Sequence, residues 1–241
     1  MKLAFISDIH GNAVAFEAVL QDIEKKNIEK VYVLGDLCFR GPEPKSSLDL
    51  VRSLHTEVIK GNADEWLVRG VRKGEVPDQA LEIMNLERNW AFSQLSEEDI
   101  DYLEKLPTSL SLEFEGKKIN AFHATPDSLF EIVLPSEADQ IVQNTLIKDT
   151  EADIYIYAHI HKPYIKFING KCIINTGSVG LPFDGLAQSS YAMIDIQDKA
   201  IQATIVRVPY DVEKVKKQYT ETNYPNKELL INIIQNGELP K

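Results

Sequence analysis

Seven residues able to hold a metal ion recur where short apolar runs stop. LAFIS leads into Asp8-Ile9-His10, VYVL into Gly35-Asp36, EVIK into Gly61-Asn62, INAF into His123, and IYIYA into His159-Ile160-His161. Four of the five histidines belong to this set, and only His55 stands apart. Imidazole, carboxylate and amide oxygen are ligands suited to Mn, Fe, Zn or Ni, and no thiolate is placed to form a structural zinc knuckle. Seven ligands exceed what one such ion takes; they suit two ions sharing a bridge, a centre that lowers the pKa of a bridging water and clamps both oxygens of an in-line displacement. Only Asp8 and Asp36 carry negative charge. Two dications would keep a small positive excess against them and a hydroxide, enough to attract a phosphate.

Such a rim needs strands to deliver it. Leu3–Ser7, Val31–Leu34, Glu57–Lys60, Ile119–Phe122 and Ile154–Tyr157 read as five buried strands, because near-continuous hydrophobicity means cover on both faces. Phe16, Val19, Leu20 and Ile23 fall at helical spacing between the first two, with Asn12 as N-cap. The βαβ pattern gives an α/β class, in which ligands bind outside the carboxyl ends of strands. Residues 76–106 read as a helical insertion, with a capping box from Ser96 to Asp99 and a stop at Pro107. After His161 the pattern changes to hairpins, YIKFING-KCIINTG and then SYAMIDI with AIQATIVRV around Asp198-Lys199. Two helices over 211–236 close the chain at Gly237. No linker interrupts it, so residues 1–241 are expected to form one domain of two packed sheets with helices outside.

Composition sets the outer limits. A length of 241 residues, 44% apolar and 26% charged, is that of a globular protein with one good-sized core. No apolar run has the length of a membrane span, and no leader precedes LAFIS, so a cytoplasmic protein is expected. The two cysteines, Cys38 and Cys172, make no disulfide framework. A net charge of −11 argues against a general grip on nucleic acid. It permits a small phosphorylated or nucleotide substrate, since exposed charges are screened beyond about 8–10 Å. Homo-oligomerisation is left open.

DIHGN, GDLCFRGP, GNAD, His123 and AHIH together resemble the calcineurin-like metallophosphoesterase superfamily, whose pattern runs D-x-H, G-D, G-N-H-D/E, H and G-H-x-H. NTGSVGLP, Asn175–Pro182, resembles a further segment of its small bacterial and archaeal phosphodiesterase branch. The resemblance implies a four-layer α/β/β/α sandwich of two mixed sheets flanked by helices. It implies one metal on Asp8, His10 and His161, a second on Asn62, His123 and His159, and Asp36 as the bridge. Manganese is the first expectation, with iron, zinc or nickel as alternatives. The implied reaction is attack on phosphorus by a metal-bound hydroxide without a phosphoenzyme.

Three positions depart from that pattern or qualify it. Ala63 stands where much of the family has a histidine thought to assist the leaving group, a role worth about 10²–10⁴-fold. Ala158 replaces a glycine without consequence. Arg40 resembles the arginine with which the protein-phosphatase and dinucleoside-tetraphosphatase branch grips phosphate; its alternative is a surface pair with Glu43. Catalytic candidates are therefore Asp36, Arg40 and Asp64, although Asp64 has the alternative of an N-cap for DEWLVRG. Arg40, Asn62 and Asn12, the last beside helix-opening amides, are the substrate-binding candidates. The function expected is hydrolysis of phosphodiester bonds. The alternatives are phosphomonoester or dinucleoside-tetraphosphate hydrolysis, a protein-phosphatase-like activity, or a non-catalytic interaction module of the same fold.

Overall fold

Two mixed sheets face each other in the computed structural model, which describes residues 1–148 and 151–240. The first sheet orders β2 (Lys30–Val33), β1 (Lys2–Ile6), β8 (Ser189–Gln197) and β9 (Ala200–Val208). The second orders β3 (Ser109–Phe114), β4 (Lys117–Phe122), β5 (Ile154–Tyr157), β7 (Lys171–Asn175) and β6 (Tyr164–Ile168). β1 and β2 run parallel, as do β4, β5 and β7; the hairpins supply the antiparallel edges.

The alternation of side chains along each strand explains the layers. Leu3 and Phe5 of β1 point to the space between the sheets, where they meet Ile119, Ile154, Ile156 and Ile174. Ala4 and Ile6 point outward onto Phe16 and Val19 of α1 (Ala13–Lys25) and Leu48 and Val51 of α2 (Pro44–Ser53). Tyr155 and Tyr157 of β5 turn the other way, onto Val142 and Leu146 of α6 (Asp139–Leu146). The result is helices, sheet, sheet and helix, with both faces of β1 and β5 dry. Each large side chain so buried stabilises the fold by about 1.5–3 kcal/mol.

α3 (Asn62–Arg69), α4 (Asp78–Phe92) and α5 (Glu97–Glu104) add Leu67, Ala91 and Leu103 to the core that α1 and α2 build on the first sheet, and α5 starts on the expected Ser96–Asp99 capping box. α7 (Val212–Glu221) and α8 (Lys227–Asn236) follow β9, and Gly237 ends α8 at φ 69°. One expected strand is corrected. Glu57–Lys60 is not a strand but a single parallel bridge, Val33 to Val58. Thr56 and Glu57 are half-exposed and exposed at its start, and Asn62 already belongs to α3, so only the four residues 58–61 lie between and one bridge forms. The rim is thus carried by four strands in two sheets, plus one helix N-terminus, rather than by five consecutive strands.

A loop stitches the sheets together there. Residues 175–182 leave β7 and cross to β1, where Val179 N–H donates to the Ser7 carbonyl at 3.0 Å and Gly180 N–H to the Asp8 carbonyl at 2.9 Å. Asn12 completes the seam: its Oδ1 caps α1 by accepting from Ala15 N–H, and its Nδ2 donates to the Gly180 carbonyl.

Candidate metal centre

Asp8, His10, Asp36, His159 and His161 all adopt left-handed backbone, with φ between 49° and 68°. None is glycine, and each such residue costs on the order of 1 kcal/mol or more. Strain of this kind persists only where surrounding contacts impose it. Here the contacts are backbone hydrogen bonds between the turns: Asp8 N–H to the Gly35 carbonyl at 3.0 Å, and His10 N–H to the Asp36 carbonyl at 2.9 Å. Gly61 is required at the same place, because a Cβ there would strike the Asp36 carboxylate.

The side chains then converge in a way that donors and acceptors alone cannot satisfy. His10 Nδ1 donates to the Phe39 carbonyl at 2.7 Å, and His161 Nδ1 to the Leu181 carbonyl at 2.5 Å. A carbonyl only accepts, so a neutral ring held this way presents a bare lone pair at Nε2. The two Nε2 atoms lie 3.2 Å apart. Asp8 Oδ1, buried and without a hydrogen-bond partner, is 3.2 Å from one and 3.8 Å from the other. Asp36 Oδ2 is 3.6 Å from His10 Nε2. The ligand atoms of these four residues lie within 4.8 Å of one another. Four acceptors around one point, with no donor among them, fit a cation.

Beside them the same logic repeats with different atoms. His123 Nδ1 donates to the Leu34 carbonyl at 2.7 Å, leaving Nε2 2.9 Å from Asn62 Oδ1 and 3.5 Å from Asp36 Oδ2. His159 is turned the opposite way: Nε2 donates to the Phe130 carbonyl at 3.2 Å, and Nδ1 lies 2.8 Å from Asn62 Oδ1. All seven expected ligands are therefore brought together, and Asp36 Oδ2 lies between the two groups.

Electrostatics agree with ligands kept ready for a cation. Burial, then the neighbouring His161, pushes His10 down to about 4. Burial and His123 do the same to His159, also to about 4, so both rings are neutral at pH 7. Burial works to raise Asp8 and Asp36, but the adjacent histidines outweigh it and hold both carboxyls below their ordinary range. His123 alone goes up. Burial opposes its charge, yet the Asp36 carboxylate lifts it to about 9, so a proton stands where a cation would replace it.

Comparison with known proteins gives the arrangement a lineage. The model of the calcineurin-like phosphoesterase superfamily domain matches residues 1–199. The chain belongs to that superfamily. It is accordingly a metallophosphoesterase, a hydrolase acting on phosphoric ester bonds. It is 30% identical to the uncharacterised protein MJ0912 of Methanocaldococcus jannaschii, with 92% of this chain and 93% of that one covered. The metallophosphoesterase from Sphaerobacter thermophilus superposes with a TM-score of 0.79 at 25% identity, covering 98% of this chain and 99% of that one. The hypothetical protein PH1004 from Pyrococcus horikoshii OT3 shares the fold, with a TM-score of 0.86 at 20% identity and 99% of both chains covered.

The remaining phosphoesterase candidates sit around this centre in distinct ways. Asp64 is wholly buried and is the third residue of α3, not its N-cap; its carboxylate accepts from the backbone N–H of Asp36, Leu37 and Gly61 at 2.8–2.9 Å. Arg40 pairs with Glu87 of α4 at 3.1 Å rather than with Glu43. Glu87 is fully buried and also accepts from Asn226 Nδ2 at 2.7 Å, while Tyr219 donates to the Arg40 carbonyl at 2.8 Å. Both polar ends of Asn12 are used within the protein, as described above. Ala63 is buried among Phe39, Trp66 and Val71, and its N–H donates to Asp36 Oδ1 at 2.8 Å.

Several contributors leave no trace in side-chain type. The carbonyls of Leu34, Phe39, Leu181 and Phe130 decide which nitrogen each histidine offers, and a backbone carbonyl has no sequence signature. Two side chains outside the ligand set also support it: Ser7, whose hydroxyl donates to Asp8 Oδ2 at 2.6 Å, and Phe183, stacked on His161 with ring centres 4.3 Å apart. For Phe183 the signal was available, since it directly follows the NTGSVGLP segment.

Proposed function

We propose that this phosphoesterase holds two divalent cations and cleaves phosphodiester bonds of a small or nucleotide substrate. The observation that carries this reading is the pair of ligand clusters meeting at Asp36 Oδ2. Asp8, His10, His161 and Asp36 would hold one ion; Asn62, His123, His159 and Asp36 the other. Bound there, the ions would supply Lewis acidity and an activated water. With nitrogen and oxygen donors and no thiolate, manganese fits well, and iron, zinc or nickel are its competitors.

The chain's own residues set the rest. Two dications against two carboxylates leave a modest positive excess, which suits the single charge of a phosphodiester. Ala63 brings no proton donor to the leaving group, which favours esters whose leaving group departs unaided. Arg40 is held by its Nε on a fully buried carboxylate, so its charge is largely matched within the protein. Arg40→Ala is expected to lower kcat/KM by about tenfold, the scale of one hydrogen bond to a charged group, with metal content unchanged. Loss of metal in that variant would show Arg40 to be structural instead.

The direct test is metal loading. Manganese at a hundred times its Kd should stabilise the protein by about 2.7 kcal/mol. For a chain of this size that raises Tm by roughly 5–10 °C. Hydrolysis of bis(4-nitrophenyl) phosphate should appear with the metal and vanish with a chelator. A protein that takes up no transition metal and gains no hydrolysis would instead be an interaction module on this fold.

A further inference from the structure

Next to the centre lies a cavity of about 390 Å³ that the ligand set does not use. Its walls are Ile132, Leu134, Ile160, Phe183 and Leu239, and the expected metal ligand His159 also lines it. These residues come from four separate stretches: the segment after β4, the turn after β5, the loop after β7 and the residues after α8. Ile132 and Leu239 are 64% and 51% exposed, so two large apolar side chains of the lining stand uncovered. Phe183 is anchored face-on against His161, with an interplanar angle of 13°, and also lines the cavity. Among the described residues, Lys162 and Glu238 supply the only formal charges in the lining, one of each sign.

Resting on the phosphoesterase reading above, we propose that this cavity receives the organic group of the ester and selects an uncharged aromatic ring. His159 joins cavity to centre, so a substrate with its phosphate at the ligands must send a substituent toward this space or away from it. The space is of the size at which small-molecule sites begin, lined mostly by apolar groups. A flat ring gains from stacking beside Phe183 as well as from leaving water. A second anionic group gains nothing, because Lys162 is offset by Glu238 and the remaining wall would desolvate the charge. The cavity therefore favours aryl or nucleoside-like esters over substrates carrying further phosphates at this position.

Phenylphosphonate and methylphosphonate, which share the phosphonate and differ only in the organic group, separate the possibilities by titration calorimetry on the manganese-loaded protein. The phenyl compound is expected to bind about tenfold more tightly or better. That preference should fall toward one in Ile132→Asp/Leu239→Asp, and partly in Leu239→Asp alone, which serves if the double variant misfolds. Equal binding of the two phosphonates, or a preference that survives these substitutions in folded protein, would overturn the inference and leave the phosphoesterase reading standing. If neither compound binds the loaded protein, the phosphate site itself is wrong and the inference falls with it.

Discussion

Asp36→Asn is expected to strip the protein of metal and abolish turnover while leaving it folded. The wild-type carboxylate does two jobs with two oxygens. Oδ1 accepts the Ala63 N–H at 2.8 Å at the start of α3, where the helix dipole also favours a negative charge. Oδ2 lies 3.6 Å from His10 Nε2 and 3.5 Å from His123 Nε2, within reach of both ligand groups. An asparagine can keep the first contact with its carbonyl oxygen, so the turn should survive. It then aims an N–H₂ group where an anion stood and removes one of only two carboxylates in the centre. Perturbing even the groups that orient ligands commonly costs 10–100-fold in metal affinity, so losing the shared ligand should cost at least about a hundredfold. Metal analysis after gel filtration, together with the hydrolysis rate at fixed manganese, reads both effects. A variant with normal metal content and rate would mean that Asp36 is no bridge.

That Asp36 stood out in the sequence at all follows from burial. Val31–Leu34 are apolar because both faces of the sheet are covered, and a carboxylate placed directly after such a run has no reason to be there unless something offsets its charge. The same contrast exposed His123 after INAF and the His159–His161 pair after IYIYA. Where cover is one-sided the contrast fades. β3, SLSLEF, alternates exposed and half-buried residues, and no continuous run marked it. Pro44 opens α2, where its fixed φ suits the first turn. Long-range partners are harder still. The sequence offered Glu43 as the neighbour of Arg40, but the fold supplies Glu87 from a helix 47 residues further on. Left-handed backbone at Asp8, His10 and Asp36 was also hidden, since aspartate and histidine do not announce it as glycine does. Tertiary hydrogen bonds impose it, and they exist only once both turns are in place.

Asp64→Ala is expected to be the more damaging change to the fold, and its pattern of failure separates positioning from catalysis. The carboxylate accepts three backbone N–H groups, from Asp36 at 2.8 Å and from Leu37 and Gly61 at 2.9 Å, and it is wholly buried. Burial and the nearby Asp36 charge push it up to about 7, while those three donors pull it back. Three N–H groups directed at its two oxygens suit the ionised form. With Asp36 Oδ1 bound in return by Ala63 N–H, the turn at residues 36–37 and the start of α3 are locked reciprocally. Alanine would leave three buried donors unpaired, at roughly 1–3 kcal/mol each. The sum is a large part of the 5–15 kcal/mol that holds a typical domain. Tm should fall by about 10 °C or more, and metal affinity should fall with it because Asp36 loses its support. Asp64→Asn keeps an acceptor for part of the set and should recover most of both losses. A positioning residue then predicts that kcat in the Asn variant returns close to the native value once metal is saturating. A residue that moves a proton in the reaction predicts the reverse: Tm and metal affinity near native in Asp64→Asn, with kcat still depressed at every metal concentration.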